Sequence, residues 1–212
     1  VMELFHNQVT REQGVFSLRF NHHSFGLHLM AANVQADVTV LDFPSQERFI
    51  RELRKGWDYV GIGFIASNMV KARRMAELVR THAPDARIIL GGHGTRIPGI
   101  REHIDCDHVC VGEGVLWLRR LLGQDEHQPL RHPVLHSSFN KRVMGVPLMG
   151  DAATLLPGVG CPNQCRFCAT SHFFDKVYTP YFDTGADLFE VCCRAQDEEG
   201  ITEFFVMDEN FL

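Results

Sequence analysis

From Asp37 to Gly123 the chain alternates between short apolar runs of strand length and longer segments with apolar residues at helical spacing. Nothing else in the sequence restricts the fold as strongly. DVTVLDF (37–43), DYVGIGFIA (58–66), ARIILGG (86–92) and DHVCVGEG (107–114) read as strands, the first of them buried. Pro44-Ser45 opens a helix with Phe49, Ile50 and Leu53 on one face, and Gly56 ends it. Ser67 caps a long helix in which Met75, Leu78, Val79 and His82 recur at helical spacing, and Pro84 stops it. A short helix follows Pro98, and 115–123 (VLWLRRLLG) is a last amphipathic helix. Strands separated by helices need crossover connections, so the expected class is α/β, a parallel sheet covered on both faces. Such sheets bind ligands beyond the carboxyl ends of their strands. The loops after residues 20, 43, 66, 91 and 112 are therefore where a ligand is expected.

The flanks are read from local signals. Val1 to Phe5 suits the end of a strand, and Val15 to Phe20 alternates like one. Ser24 is a candidate N-cap for a helix running to about Val34. Residues 124–150 carry three prolines and few periodic apolar positions, and read as an interdomain linker. Thr154 to Leu156 is a short apolar strand. Asp183-Thr184-Gly185 starts a helix through Leu188, Val191, Cys192 and Ala195, closed at Gly200, and 201–207 (ITEFFVM) is the next strand.

Between those last two strands lies Gly158-Val159-Gly160-Cys161-Pro162-Asn163-Gln164-Cys165-Arg166-Phe167-Cys168. Three thiols within one turn-forming loop are suited to an iron–sulfur cluster. A cubane has four irons, and three sulfurs leave one iron open to a non-protein ligand. The glycines let backbone approach closely, while Pro162 and Asn163 favour a turn. A structural zinc site is the competing reading. It wants four ligands in pairs such as C-x2-C, and His172 is the available fourth. Cys192 or Cys193 as a fourth cluster ligand competes with plain helix packing. A disulfide framework fits poorly: the seven cysteines are odd in number, no apolar leader precedes them, and a reducing cytoplasm is expected. A formal net charge of −5 argues against broad attraction to nucleic acid. No apolar run approaches the roughly 20 residues of a membrane helix. Of the twelve histidines, His22, His23, His93, His132 and His136 fall in loop stretches and read as solvated polar positions.

The C-x3-C-x2-C loop, with Phe167 before its last cysteine, resembles the signature of the radical S-adenosylmethionine superfamily. The resemblance implies that Cys161, Cys165 and Cys168 ligate a 4Fe-4S cluster, with Phe167 beside the adenine or shielding the cluster. It implies reductive cleavage of S-adenosylmethionine to a 5′-deoxyadenosyl radical, and a ferredoxin- or flavodoxin-like electron donor. Asp208, Glu209 and Asn210 stand where that family accepts hydrogen bonds from the amino group of S-adenosylmethionine. The run from 151 to 212 then looks like the first βαβ unit of a partial TIM-type barrel. A barrel needs about 200 residues or more, so the expectation is an incomplete barrel with an unpaired last strand and exposed apolar surface.

Residues 1–123 resemble a Rossmann-like cobalamin-binding domain. The quoted residues are Asn21-His22-His23-Ser24-Phe25-Gly26, then Ser67, then Gly91-Gly92. The resemblance implies His23 as a cobalt ligand, in competition with a plain helix-terminal residue. It implies Ser67, Gly91 and Gly92 as backbone facing the cofactor. Asn21 stands where the family has the aspartate that orients the imidazole. Glu113 is a further loop candidate, or only a helix N-terminal acid. Together the resemblances imply methyl transfer or radical rearrangement of a small-molecule or natural-product substrate. The alternatives are a non-catalytic cofactor-binding module and a zinc-stabilised nucleotide-binding domain.

Overall fold

The computed structural model describes residues 24–42, 44–137, 142–143, 146–147 and 152–209, with side chains undescribed at 136–137, 142–143 and 146–147. The expected strands at 1–5 and 15–20, along with Asn21, His23 and Asn210, lie outside the described residues.

Helix α1 (Phe25–Ala32) starts after Ser24, as expected, but the Ser24 side chain makes no cap hydrogen bond and the helix ends two residues before Val34. The next segment departs from its reading. Residues 37–42 form no strand, and Val38 is 43% exposed. Alternation alone does not make a strand; a ladder neighbour does, and among the described residues this segment has none. Asp42 instead turns back on α1, accepting from the Ser24 N–H at 2.8 Å and meeting His28 Nε2 at 2.6 Å.

Helix α2 (Gln46–Leu53) is capped by Ser45, whose side chain accepts the Arg48 N–H, and it buries Phe49 and Leu53. Strand β1 (Tyr59–Gly63) leads through a 3₁₀ turn (Ala66–Asn68) into α3 (Met69–His82). Ser67 therefore sits inside the turn and does not cap α3; Asn68 takes that position. Strand β2 (Arg87–Gly91), a 3₁₀ turn (His93–Arg96), α4 (Ile100–His103), β3 (His108–Val109) and α5 (Gly114–Leu121) complete the series.

Strands β1, β2 and β3 form a parallel sheet in that order, with Ile62 opposite Leu90 and Gly63 opposite Gly91. This is the α/β, Rossmann-like arrangement the alternation predicts. Its main core packs Ile62, Ile88 and Leu90 against Ala72, Val79 and Phe49, all nearly inaccessible to water. Strand β3 is shorter than expected because pairing stops at Cys110, whose N–H donates to the Leu90 carbonyl at 2.8 Å.

Beyond Leu122 the chain stays packed on this unit. Arg119 is 1% exposed, and its guanidinium donates to the carbonyls of Asn33 (2.7 Å) and Gln128 (2.6 Å). His132, read from sequence as solvated, is 5% exposed between the rings of Phe25 and Phe182. Its surroundings correct that reading: a ring packed between two aromatics loses its water.

Strand β4 (His136–Ser137) pairs antiparallel with a later strand, and β5 (Arg142–Val143) with β6 (Val146–Pro147) form a separate hairpin. Strand β7 (Ala152–Leu155) feeds β8 (Gly158–Val159) and the cysteine loop. Helix α6 (Ala169–Phe173), β9 (Thr179–Pro180), α7 (Gly185–Glu199) and β10 (Glu203–Val206) follow. Helix α7 starts and stops where predicted, and Gly200 closes it in the left-handed conformation; its start is fixed by a capping box between Thr184 and Asp187 that the sequence reading did not include. Strands β7 and β10 pair in parallel, Leu155 opposite Val206, so 152–206 contains a parallel βαβ unit. Among the described residues β10 has β7 as its only neighbour. Phe205, Val206 and Met207 are exposed, as expected for a strand with one unpaired edge. No closed barrel is present among the described residues.

Candidate functional site

The ends of β1 and β2 make the first candidate surface. The Phe64 N–H donates to the Gly91 carbonyl at 3.1 Å, and the Gly94 N–H donates to the Phe64 carbonyl at 2.9 Å. The two loops are thus stitched together. Gly92 has φ +80°, and a Cβ there would lie 2.7 Å from the Phe64 carbonyl oxygen. Gly94 has no room either; its Cβ would meet the Phe64 ring at 2.2 Å. Gly61 and Gly91, by contrast, have nothing within 4 Å of where a Cβ would be. Ser67, Ile65 and Val70 are exposed beside them. This end of the sheet is therefore bare backbone rimmed by a hydroxyl and two apolar side chains. Ser67 and Gly91 are open on this surface, whereas the Cβ direction of Gly92 is filled by the Phe64 backbone.

The second surface surrounds the cysteine loop. Gly160 has φ +88°, and a Cβ on it would fall 2.0 Å from the Val177 carbonyl oxygen. Only glycine lets the chain pass there. Cys161 is buried, Cys165 exposed and Cys168 intermediate. The Cys168 N–H donates to the Cys165 carbonyl at 3.0 Å, closing a turn. The Ser171 N–H points at Cys168 Sγ (3.5 Å), and the Ser171 hydroxyl donates to the Cys161 carbonyl at 2.7 Å. Helix α6, which the sequence reading missed, thus anchors both ends of the loop. The signal available for it was Cys168 acting as N-cap. Among the described residues no three His, Cys, Asp or Glu side chains converge to hold a metal, so the sulfurs are not gathered as placed. The donor set still suits a cluster: three soft ligands on one loop, with the Ser171 backbone N–H close to the Cys168 sulfur.

A cleft of about 280 Å³ lies against this loop. Gly158, Val159 and Gly160 line one side; Val206, Met207, Asp208 and Glu209 line the other. It opens at the carboxyl ends of β7 and β10, where the Met207 N–H donates to the Leu155 carbonyl at 2.8 Å. Asp208 accepts from the Tyr178 hydroxyl at 3.2 Å, and burial together with that carboxylate pushes the Tyr178 phenol up. The fold thus brings the glycine approach to the cysteines together with Asp208 and Glu209. Phe167 is not part of the cleft; it projects into solvent, 93% exposed. His172, the alternative zinc ligand, faces a different cleft.

Glu113 has a definite role the sequence left open. Its carboxylate accepts the N–H groups of Val115 (2.9 Å) and Leu116 (2.7 Å), capping α5. It also accepts from the Tyr181 hydroxyl at 3.1 Å. Burial and that carboxylate hold the Tyr181 phenol far above its ordinary range.

A three-stranded parallel sheet with bare backbone at its carboxyl end defines a cofactor-binding α/β domain. The B12 binding domain family matches residues 14–122, more than half of the chain. The chain belongs to the B12-binding domain family, and cobalamin is the ligand that family binds. Among curated proteins none matches the chain. No described helix is long and apolar enough to cross a membrane.

Proposed function

We propose that the chain is the cobalamin-binding part, with the opening of the catalytic part, of a radical S-adenosylmethionine enzyme. In this reading residues 1–123 bind cobalamin, 124–150 connect, and 151–212 begin a partial barrel. Cys161, Cys165 and Cys168 hold a 4Fe-4S cluster. When bound, the cluster supplies the electron that cleaves S-adenosylmethionine to the 5′-deoxyadenosyl radical. The carboxylates of Asp208 and Glu209 accept hydrogen bonds from the S-adenosylmethionine ammonium, a pairing their acceptor oxygens suit. Tyr178 orients the Asp208 carboxylate from behind. Ser67, Gly91 and Gly92 face cobalamin. Methyl transfer or radical rearrangement of a small-molecule substrate follows, with electrons from a ferredoxin- or flavodoxin-like donor.

One observation carries the reading. Gly158 and Gly160, which lead from β7 into the three-cysteine loop, share a cleft with the acids after β10, at the carboxyl ends of a parallel pair. Ligand sites in parallel βα structures form at those ends.

The test is anaerobic reconstitution with iron and sulfide. A broad visible charge-transfer absorbance, lost in Cys165→Ala, is the expected result. Tight zinc at one equivalent with refusal of iron would overturn the cluster and favour the zinc-stabilised domain. Adding S-adenosylmethionine and reductant then separates an enzyme from a cofactor-holding module, since only the enzyme releases 5′-deoxyadenosine.

A further inference from the structure

A larger cleft, of about 580 Å³, lies between the 3₁₀ turn after β2 and helix α6, and neither surface described above uses it. His93 and Arg96 form one wall; His172, Phe173, Asp175 and Lys176 form the other. Its volume falls in the range that holds a small molecule.

The charges in this cleft are unevenly committed. The Arg96 guanidinium is held through one nitrogen: Nη2 pairs with Asp175 and also donates to the Phe173 carbonyl at 3.0 Å. Asp175 is the sole acid lining the cleft, and that pairing uses its Oδ1. Lys176 has no carboxylate within ion-pair distance among the described residues, and the His93 and His172 rings have no hydrogen-bond acceptor there. His93 lies flat on Phe173, ring centroids 4.3 Å apart, so its edge is left toward the cleft. That packing lowers its pKa, against the field of Glu209 from the neighbouring cleft. Asp175 and Lys176 both adopt positive φ (53° and 64°), held by the Lys176 N–H on the Ser171 carbonyl at 2.7 Å. The turn ends α6 and sets Lys176 on the cleft wall.

The cleft therefore offers donors from both walls, and the one carboxylate among its lining residues is already paired with Arg96. Its ligand must bring the acceptors. A lone carboxylate is best met by the two parallel N–H groups of one guanidinium, whereas Arg96 is already held by Asp175 and the other donors of this cleft stand on separate residues. A tetrahedral oxyanion accepts from several separate donors at once, which is what an ammonium and two imidazoles supply. We propose that this cleft binds a phosphoryl group, with Lys176, His93 and His172 as its donors. The group belongs either to a phosphorylated small molecule or to the phosphodiester that cobalamin itself carries. The inference goes beyond the cysteine-loop reading and does not depend on it.

The probe is inorganic phosphate, titrated into the whole chain while the histidine ring resonances are followed by NMR. His93→Gln and His172→Gln assign the two signals. The expected result is saturable movement of both, with apparent affinity about ten-fold weaker in Lys176→Gln, the loss of one charge-assisted hydrogen bond. Lys55→Gln, in the turn that follows the remote helix α2, should titrate like the parent. Silent rings, or equal titration in the two lysine variants, would overturn the proposal, the second by showing non-specific ion binding. Repeating the titration on cobalamin-loaded protein separates the sources. Competition assigns the site to cobalamin's phosphodiester; undiminished phosphate binding assigns it to a separate phosphorylated ligand. None of these readouts needs a cluster, so failure here leaves the cysteine-loop reading standing, and the reverse holds.

Discussion

At the scale of single residues, the most telling side chain is His132. Burial between Phe25 and Phe182 lowers its pKa to about 4, and nearby Arg194 pushes the same way, against a smaller opposing effect of the Pro133 backbone. The neutral ring accepts the Leu156 N–H on Nε2 at 3.0 Å. The folded value lies below the ordinary one near 6.5, so the fold prefers the neutral ring. Its stabilisation is complete above pH 6.5 and is lost as pH falls from there toward 4, on the order of 3 kcal/mol in all. Urea melts at pH 7.5, 5.5 and 4.5 should show that slope, and His132→Asn should flatten it. Parallel curves for parent and variant would refute the assignment. The glycines allow a second prediction. Gly160→Ala sets a methyl against the Val177 carbonyl, a backbone atom that cannot step aside, and should cost more than about 2 kcal/mol while abolishing iron uptake. Gly61→Ala meets open space and should stay within about 1 kcal/mol of the parent.

At the scale of elements, what the sequence announced is what local chemistry decides. The start of α7 at Thr184, the Gly200 cap, the Ser45 cap and the apolar face of α2 are each decided within a few residues, so each was legible. The strands at 59–63 and 87–91 were legible because both are apolar and neighbour each other in the sheet. What escaped depends on partners far along the chain. The 37–42 segment lacks a described ladder neighbour, and the β8–β9 pairing joins Gly158 to Pro180. Of the candidate site, the cysteines and the acids after β10 were legible as motif. The 580 Å³ cleft was not, because Arg96 and Asp175 meet across 79 positions. Arg119 belongs with these. Its buried guanidinium binds the end of α1 and the chain at 128–129 to α5, with carbonyls and the Asn33 amide oxygen as its acceptors. Arg119→Met keeps much of the bulk but strands those oxygens, and should cost about 3 kcal/mol or more in a chemical melt. A loss below about 1 kcal/mol would mean that water replaces the guanidinium.

At the scale of the whole molecule, the question is what makes the B12-binding unit and the cysteine-bearing unit one body. The Arg96–Asp175 ion pair spans them, but its side chains are 43% and 77% exposed, and such pairs contribute little in water. The buried contacts are the stronger candidates. Phe25, Leu29 and Val115 form a core that also takes in Leu130, Leu135, Leu156 and Tyr181, drawing side chains from both units into one apolar cluster. Tyr181 ties that cluster to α5 through its hydroxyl on Glu113, and Arg194 reaches the His132 carbonyl at 2.9 Å. Tyr181→Phe removes only the hydrogen bond and should cost about 1 kcal/mol, because Glu113 keeps its two backbone donors. Tyr181→Ala also empties part of the shared core and should cost about 3 to 4 kcal/mol. Both tryptophans, Trp57 and Trp117, lie in the B12-binding unit, so their fluorescence reports on that unit alone. If the shared core couples the units, the Tyr181→Ala melt followed by tryptophan fluorescence moves to lower denaturant by the full amount. A tryptophan transition left where it was, with only a probe on the cysteine loop moving, would show two bodies that fold independently, and cobalamin binding would then be insensitive to anything done beyond residue 151.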